Sequence, residues 1–206
     1  MFEKISIVIP VHEKEEHLQR LLTDLEPIRS RVEIAVSSKE TRAASLNAGA
    51  LSTTGPFVWF LHADSRITPH NLEMLSQALR KKPDALHYFD LAFADDGPPQ
   101  TALNAWGANM RSRLFGTPYG DQGFCVARRH FLRAGLYPED VPYGEDLMLV
   151  WRLRQSGIRL NRIPSKLVTS ARKYREHGWF NLTVLYQRRW IGMSLPEALK
   201  CARVRP

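Results

Sequence analysis

The residues best equipped for chemistry in this chain are two acidic motifs set far apart, His62-Ala63-Asp64 and Glu145-Asp146. The first follows Phe57 to Leu61, five consecutive large apolar residues that read as a strand buried on both faces and breaking into polar sequence where the run stops. In open α/β sheets that edge is where ligands sit. A carboxylate there can hold a cation against a phosphate. The second motif follows Gly144 and opens a helical pattern, and a carboxylate in that position can take a proton from a hydroxyl. Together they are suited to group transfer from a phosphate-activated donor. The loop Tyr119-Gly120-Asp121-Gln122-Gly123 adds two polar side chains bracketed by glycines, the composition of a backbone that approaches a ligand closely. Arg42, Arg172 and Arg175 are candidate phosphate partners.

The elements that must position these groups follow from apolar periodicity. Lys4 to Pro10 and Val32 to Val36 read as buried strands, Glu15 to Leu25 as a helix, and Arg42 to Leu51 as a helix rich in small residues. Thr68-Pro69 is an N-cap and first-turn pair for a helix to about Lys82, and Ala85 to Ala94 returns as a strand. A helix with Trp106 and Met110 precedes the glycine loop. Beyond it come a short strand at Phe124 to Arg128, a helix ending near Gly135, and the helix from Gly144 to Gly157. Two strands, Ile158 to Ile163 and Leu167 to Ala171, and two helices, Phe180 to Ile191 and Pro196 to Ala202, complete the reading. The alternation predicts an α/β protein, a parallel sheet with crossover helices, followed by C-terminal helices. Residues 1–178 are expected to form the catalytic domain and 179–206 a basic, aromatic helical extension packed on it.

The 206 residues are 44% hydrophobic, enough for a sizeable core and against disorder. Cys125 and Cys201 show no metal-ligand or disulfide spacing, which fits a reducing cytoplasm. No apolar run approaches a signal peptide or a membrane span. The net charge of +8 is uneven: residues 150–206 hold 13 Lys/Arg against 2 acidic residues, and residues 1–149 hold 16 against 19. With Trp179, Phe180, Leu185, Tyr186, Trp190 and Ile191 among these cations, the C-terminal part can be a peripheral contact for an anionic membrane, at its inner face, or an ordinary solvated helix. Nothing resembles a zinc finger or an RNP-type signature, so nucleic acid is not an expected partner.

Several segments, in order, resemble the family-two inverting glycosyltransferases: ISIVIPV at Ile5, NAGA at Asn47, FLHADSRI at Phe60, PYGDQGFCVARRHF at Pro118, GEDLMLVWRLRQSG at Gly144 and VTSARKYREHGW at Val168. The set is similar in particular to a bacterial subgroup named radical-SAM/selenodomain-associated glycosyltransferases. The resemblance implies the glycosyltransferase A fold, a Rossmann-like, mostly parallel sheet flanked by helices, with a nucleotide-diphosphate sugar as donor, a hydroxyl acceptor that includes lipid-linked ones, and a divalent cation, Mn²⁺ or Mg²⁺. It implies Asp146 as catalytic base with Glu145 positioning the acceptor, and Asp64 with His62 at the metal. Pro10, Val11, Glu13, Arg42, Asn47 and Asp64 fall at donor-binding positions, and Tyr119, Asp121 and Gln122 at the donor sugar or acceptor.

The chain also departs from that pattern. Val36 to Glu40 runs almost directly into the Arg42 segment, so a block that usually carries a base-binding Asp, a helix and a strand is missing. Gln187-Arg188-Arg189-Trp190 is one residue short of the QxxRW motif of processive synthases, and processivity is not inferred. Two other readings stay open. A sugar nucleotidyltransferase lacks its Gly-rich basic phosphate signature here. A noncatalytic relative that binds sugar or lipid is motivated by the missing block.

Overall fold

The computed structural model describes residues 5–11 and 17–204. Six strands form one mixed sheet in the order β2-β1-β3-β5-β4-β6. They are β1 (Ile5–Pro10), β2 (Val32–Ser37), β3 (Phe57–Phe60), β4 (Leu86–Phe93), β5 (Cys125–Ala127) and β6 (Leu160–Thr169). Parallel pairs β1–β2, β1–β3 and β4–β6 flank the short β5, which is antiparallel to both β3 and β4. The apolar runs divide between the faces because successive strand residues point opposite ways. Ile5, Ile7, Ile9, Phe57 and Trp59 enter one core layer with α1 (Leu18–Leu25) and α3 (Pro69–Lys81). Val8, Val58 and Phe60 enter the other, against α2 (Arg42–Leu51), α5 (Arg128–Arg133) and α6 (Glu145–Gln155). The expected buried parallel core is therefore present.

Local signals act as anticipated at several ends. Thr68 caps α3 in a reciprocal capping box with Asn71, with Pro69 in the first turn. Asn71 also donates to Ser165 Oγ at 2.9 Å and to the Lys166 carbonyl at 3.0 Å, so the cap ties α3 to β6. Two expectations are corrected. The strands placed at Ile158–Ile163 and Leu167–Ala171 are one strand, β6, whose register against β4 jumps from Phe89↔Ile163 to Asp90↔Lys166. The bulge falls at Pro164-Ser165, where proline has no N–H for the ladder. The two C-terminal helices are likewise one, α8 (Trp179–Val204), with Pro196 inside it. Both Gly192 and Pro196 are exposed, so the carbonyl left unpaired four residues back meets water.

Two further helices place the site. α4 (Thr101–Phe115) lies beside α8: Asn104 donates to Thr183 Oγ1 at 2.9 Å, Trp179 Nε1 donates to Asn104 at 2.5 Å, and the Phe115 ring packs tilted against Trp190. α7 (Arg172–His177) leads into α8. Past Pro196, Glu197 accepts from Gln155 Nε2 at 2.8 Å, which holds the end of α8 on α6. No helix among the described residues is long and apolar enough to cross a membrane.

Candidate active site

The carboxyl ends of β1, β3, β4 and β6 share one edge of the sheet, and a cleft of about 960 Å³, including its open mouth, lies there. Arg42, His62, Tyr119, Asp121, Glu145 and Asp146 line it, which unites six of the positions anticipated from sequence. Helix termini explain the grouping. Glu145 and Asp146 form the first turn of α6, where the helix dipole favours anions. Arg42 opens α2, where the dipole disfavours a cation, and the two acids offset that cost.

Arg42 is the hub. Its guanidinium pairs with Glu145, lies 3.9 Å from Asp146 Oδ2, and contacts His62 Nε2. Its pKa is raised: burial opposes the charge, but Asp146 and Glu145 outweigh it. Asp146 is 8% exposed, with Oδ2 accepting the Gly120 N–H at 2.7 Å and Oδ1 the Leu147 N–H at 2.8 Å. Gly120 is required at its place. A Cβ there would stand 2.7 Å from Arg42 Nη2, 3.0 Å from Asp146 Oδ2 and 3.2 Å from His62 Nε2. Gly144, at φ +74°, likewise has Met193 of α8 packed where a Cβ would be. Asp121 is different: its Oδ1 is buried without a hydrogen-bond partner among the described residues. Burial pushes its carboxyl pKa up, against the opposing pull of Lys173 and Arg111.

Other anticipated residues serve the scaffold. Gln122 is fully buried, donating to the Phe89 carbonyl at 2.9 Å and accepting from Ser112 Oγ at 2.7 Å and the Tyr119 N–H at 3.2 Å. It anchors the loop that presents Tyr119 and Asp121 and does not line the cleft. Asn47 is also buried, and its amide clasps Tyr137 and Glu139: Nδ2 donates to the Tyr137 carbonyl at 2.9 Å and to Glu139 Oε1 at 2.7 Å, and Oδ1 accepts from the Tyr137 N–H at 2.9 Å. The NAGA segment is thus a packing motif, since a Cβ on Gly49 would meet Val8 at 2.5 Å. Pro10 and Val11 end β1 outside the lining, with the Val11 N–H donating to the Ser37 carbonyl at 3.0 Å. Glu13 lies outside the described residues.

The expected metal ligands separate. His62 has its Nε2 against a guanidinium, a poor place for a second cation. Burial, then Arg42 and Lys173, hold its pKa well below the usual imidazole value, so the ring is neutral. Asp64 is half-buried, and its Oδ1 accepts from Thr169 Oγ1 at 2.9 Å. Its other oxygen has no partner among the described residues. Those residues contain no cluster of three metal-ligating side chains. A divalent cation held with substrate phosphates needs only one or two carboxylates, so Asp64 fits such an ion and His62, as placed, does not.

Sequence reasoning missed Arg111, Lys173, Tyr174, Tyr186 and Arg189, all of which line the cleft. Arg111 stacks on Tyr119, 3.8 Å from the ring centroid, and Arg189 on Tyr143 at 4.3 Å. The run Arg172-Lys173-Tyr174-Arg175 held the signal, but helical rotation turns Lys173 and Tyr174 inward. Arg172 faces Glu176 and His17, and Arg175 is exposed.

The α/β sheet, with acids at a helix N-terminus, a cation beside them and an open cleft at the strand ends, has a fold of the glycosyltransferase A type. Residues 27–136 match the model of Glycosyl transferase family 2, and the chain belongs to that family. No curated protein matches it in sequence. Among solved structures it is similar to S. aureus TarS 1-349 in complex with UDP, at 16% identity and TM-score 0.62, over 82% of this chain and 60% of that one. The same TarS fragment in complex with UDP-GlcNAc gives 15% and 0.60, over 82% and 59%. The mannosyltransferase PcManGT from Pyrobaculum calidifontis, in complex with GDP-Man and Mn²⁺, gives 15% and 0.63, over 85% and 59%. The chain thus spans about 60% of the length of these structures.

Proposed function

We propose that the chain is an inverting glycosyltransferase that moves a hexosyl group from a nucleotide-diphosphate sugar to a hydroxyl acceptor. The observation that carries this is Asp146, a buried carboxylate facing the cleft beside Arg42. Its two backbone donors occupy two of roughly four lone-pair positions, so it retains capacity for a hydroxyl proton. The acceptor oxygen attacks the anomeric carbon from the side opposite the diphosphate. As that bond forms, the bond to the diphosphate oxygen breaks with its electron pair, and the hydroxyl proton passes to Asp146.

Arg42 and Lys173 supply positive charge for the leaving diphosphate, and Glu145 holds Arg42 in place. A divalent cation bound through Asp64 and donor phosphate would add Lewis-acid neutralisation of the same charge. Asp121, whose side chain lines the cleft, is suited to accept a hydroxyl of the transferred sugar, and Tyr119 and Tyr174 line the cleft with it. The family model and the GDP-Man and UDP-GlcNAc complexes of its structural neighbours support the donor class. The order of the sequence motifs supports the finer placement beside the selenodomain-associated subgroup.

The test is calorimetric titration with UDP, GDP, CDP and dTDP, each with and without Mn²⁺, on wild type, Arg42→Ala and Asp146→Asn. One nucleotide should bind wild type and Asp146→Asn alike and Arg42→Ala weakly, with Mn²⁺ tightening it through Asp64. A folded protein that binds none would overturn the donor site and leave the noncatalytic sugar or lipid binder.

A further inference from the structure

α8 has two unlike faces. Its inner face is built into the protein: Leu182, Ser194 and Glu197 are buried, and Tyr186, Arg189 and Met193 line the cleft. Its outer face is exposed but apolar. Phe180 is 68% exposed, Val184 40%, Ile191 54%, Leu195 58% and Leu199 54%. At roughly 100° per residue these five side chains fall within about 100° of the helix circumference, one continuous stripe along its outward side. Arg188, also exposed, lies within the stripe. The C-terminal end of α4, pinned beside α8, adds Phe115, 56% exposed and in contact with Trp190. Scattered exposed apolar residues need no explanation, but an aligned set on one helix marks an interaction surface.

Charge selects the occupant. From 177 to 206 the sole acidic residue is Glu197, which is buried and paired with Lys200. Over the same span Arg188, Arg189, Lys200, Arg203 and Arg205 are basic, and α7 just before it adds the exposed Arg175, while its exposed Glu176 is paired with Arg172. A second copy of the chain would set two cationic faces against each other. An apolar stripe flanked by cations, on a helix without exposed carboxylates, matches an anionic lipid surface, where apolar side chains enter the headgroup boundary and the cations meet phosphate.

We propose that the outer face of α8, with the adjoining end of α4, docks the protein in plane on an anionic bilayer. The surface does not rest on glycosyl transfer, since no outer-face residue named here lines the cleft. Because the same helix forms one wall of that cleft, docking holds the cleft mouth beside the headgroup layer.

The test is flotation of the purified chain with phosphatidylcholine vesicles, with and without phosphatidylglycerol. Wild type should float with the anionic vesicles and be released by salt. Phe180→Ser/Ile191→Ser/Leu195→Ser should partition at least roughly tenfold less, with unchanged helix content and melting temperature, because these side chains are already in water. The single variant Ile191→Glu should weaken binding in the same direction, and Arg188→Glu should weaken it only where phosphatidylglycerol is present. No flotation of wild type, or unaltered flotation of the folded triple variant, overturns the proposal. So does a dimer in light scattering that the triple variant dissolves while vesicles are ignored, which would assign the stripe to a second copy.

Discussion

Asp121→Asn should make the protein more stable and less active, and the sign follows from one buried oxygen. Asp121 Oδ1 has no hydrogen-bond partner among the described residues, and burial raises the carboxyl pKa above its ordinary 3.8 despite Lys173 and Arg111. The unfolded chain releases this proton near 3.8, whereas the folded chain holds it to higher pH. Above 3.8 the folded state binds more protons than the unfolded chain, so stability falls as pH rises through the folded-state pKa. Asparagine carries no charge to desolvate. The amide that replaces it keeps an unpaired oxygen, so only the extra cost of burying the charge is recovered, about 1 kcal/mol. For a chain of this size each kcal/mol shifts the melting temperature by roughly 2–4 °C, so Asp121→Asn should melt about 2–4 °C higher at pH 7.5. Calorimetric melts without nucleotide at pH 7.5, 6 and 5 would show the gap closing as pH falls. A variant that melts lower at pH 7.5 would refute the reasoning, because Lys173 and Arg111 would then be supplying net stabilisation to the carboxylate. The same variant should transfer sugar poorly, the usual conflict between stability and a poised site.

Asp146→Asn should lower kcat by about 10²- to 10⁴-fold with nucleotide affinity retained, measured by transfer assay and calorimetry side by side. Gly120→Ala should reduce transfer at least roughly tenfold by displacing Arg42, with only a small fall in melting temperature, because the contact at 2.7 Å is with the flexible end of an arginine. Asn47→Ala should cost about 2–4 kcal/mol by unpairing the Tyr137 backbone, seen as a lower denaturant midpoint, and leave nucleotide affinity unchanged. Loss of affinity in Asn47→Ala without loss of stability would return that residue to the donor site.

Much of the fold is legible in the chain because its signals are local. The apolar run at Phe57 and the one at Ile5, broken only by Ser6, read as strands covered on both faces, and Thr68-Pro69 starts α3 by satisfying its own first amides. Gly144-Glu145-Asp146 sets an acid on a helix terminus by the same kind of short-range chemistry. Pro164 and Pro196 misled for a related reason: proline reads as a stop, yet a bulge and a solvent-facing carbonyl let β6 and α8 continue through them.

The roles of individual side chains were decided only by tertiary structure. Nothing near Asn47 or Gln122 in sequence says that each is enclosed by a distant backbone, and burial turns both from ligand candidates into clasps. β5 enters between β3 and β4, and α7 and α8 fold back to carry Lys173, Tyr186 and Arg189 to the acids of α6. The sequence alone determined which elements form and where acids stand on them, since period, caps and glycines act within a few residues. Only the packed fold decided which charges meet, because Arg42, His62, Asp121 and Asp146 are joined by chain topology and by the exclusion of water, not by spacing.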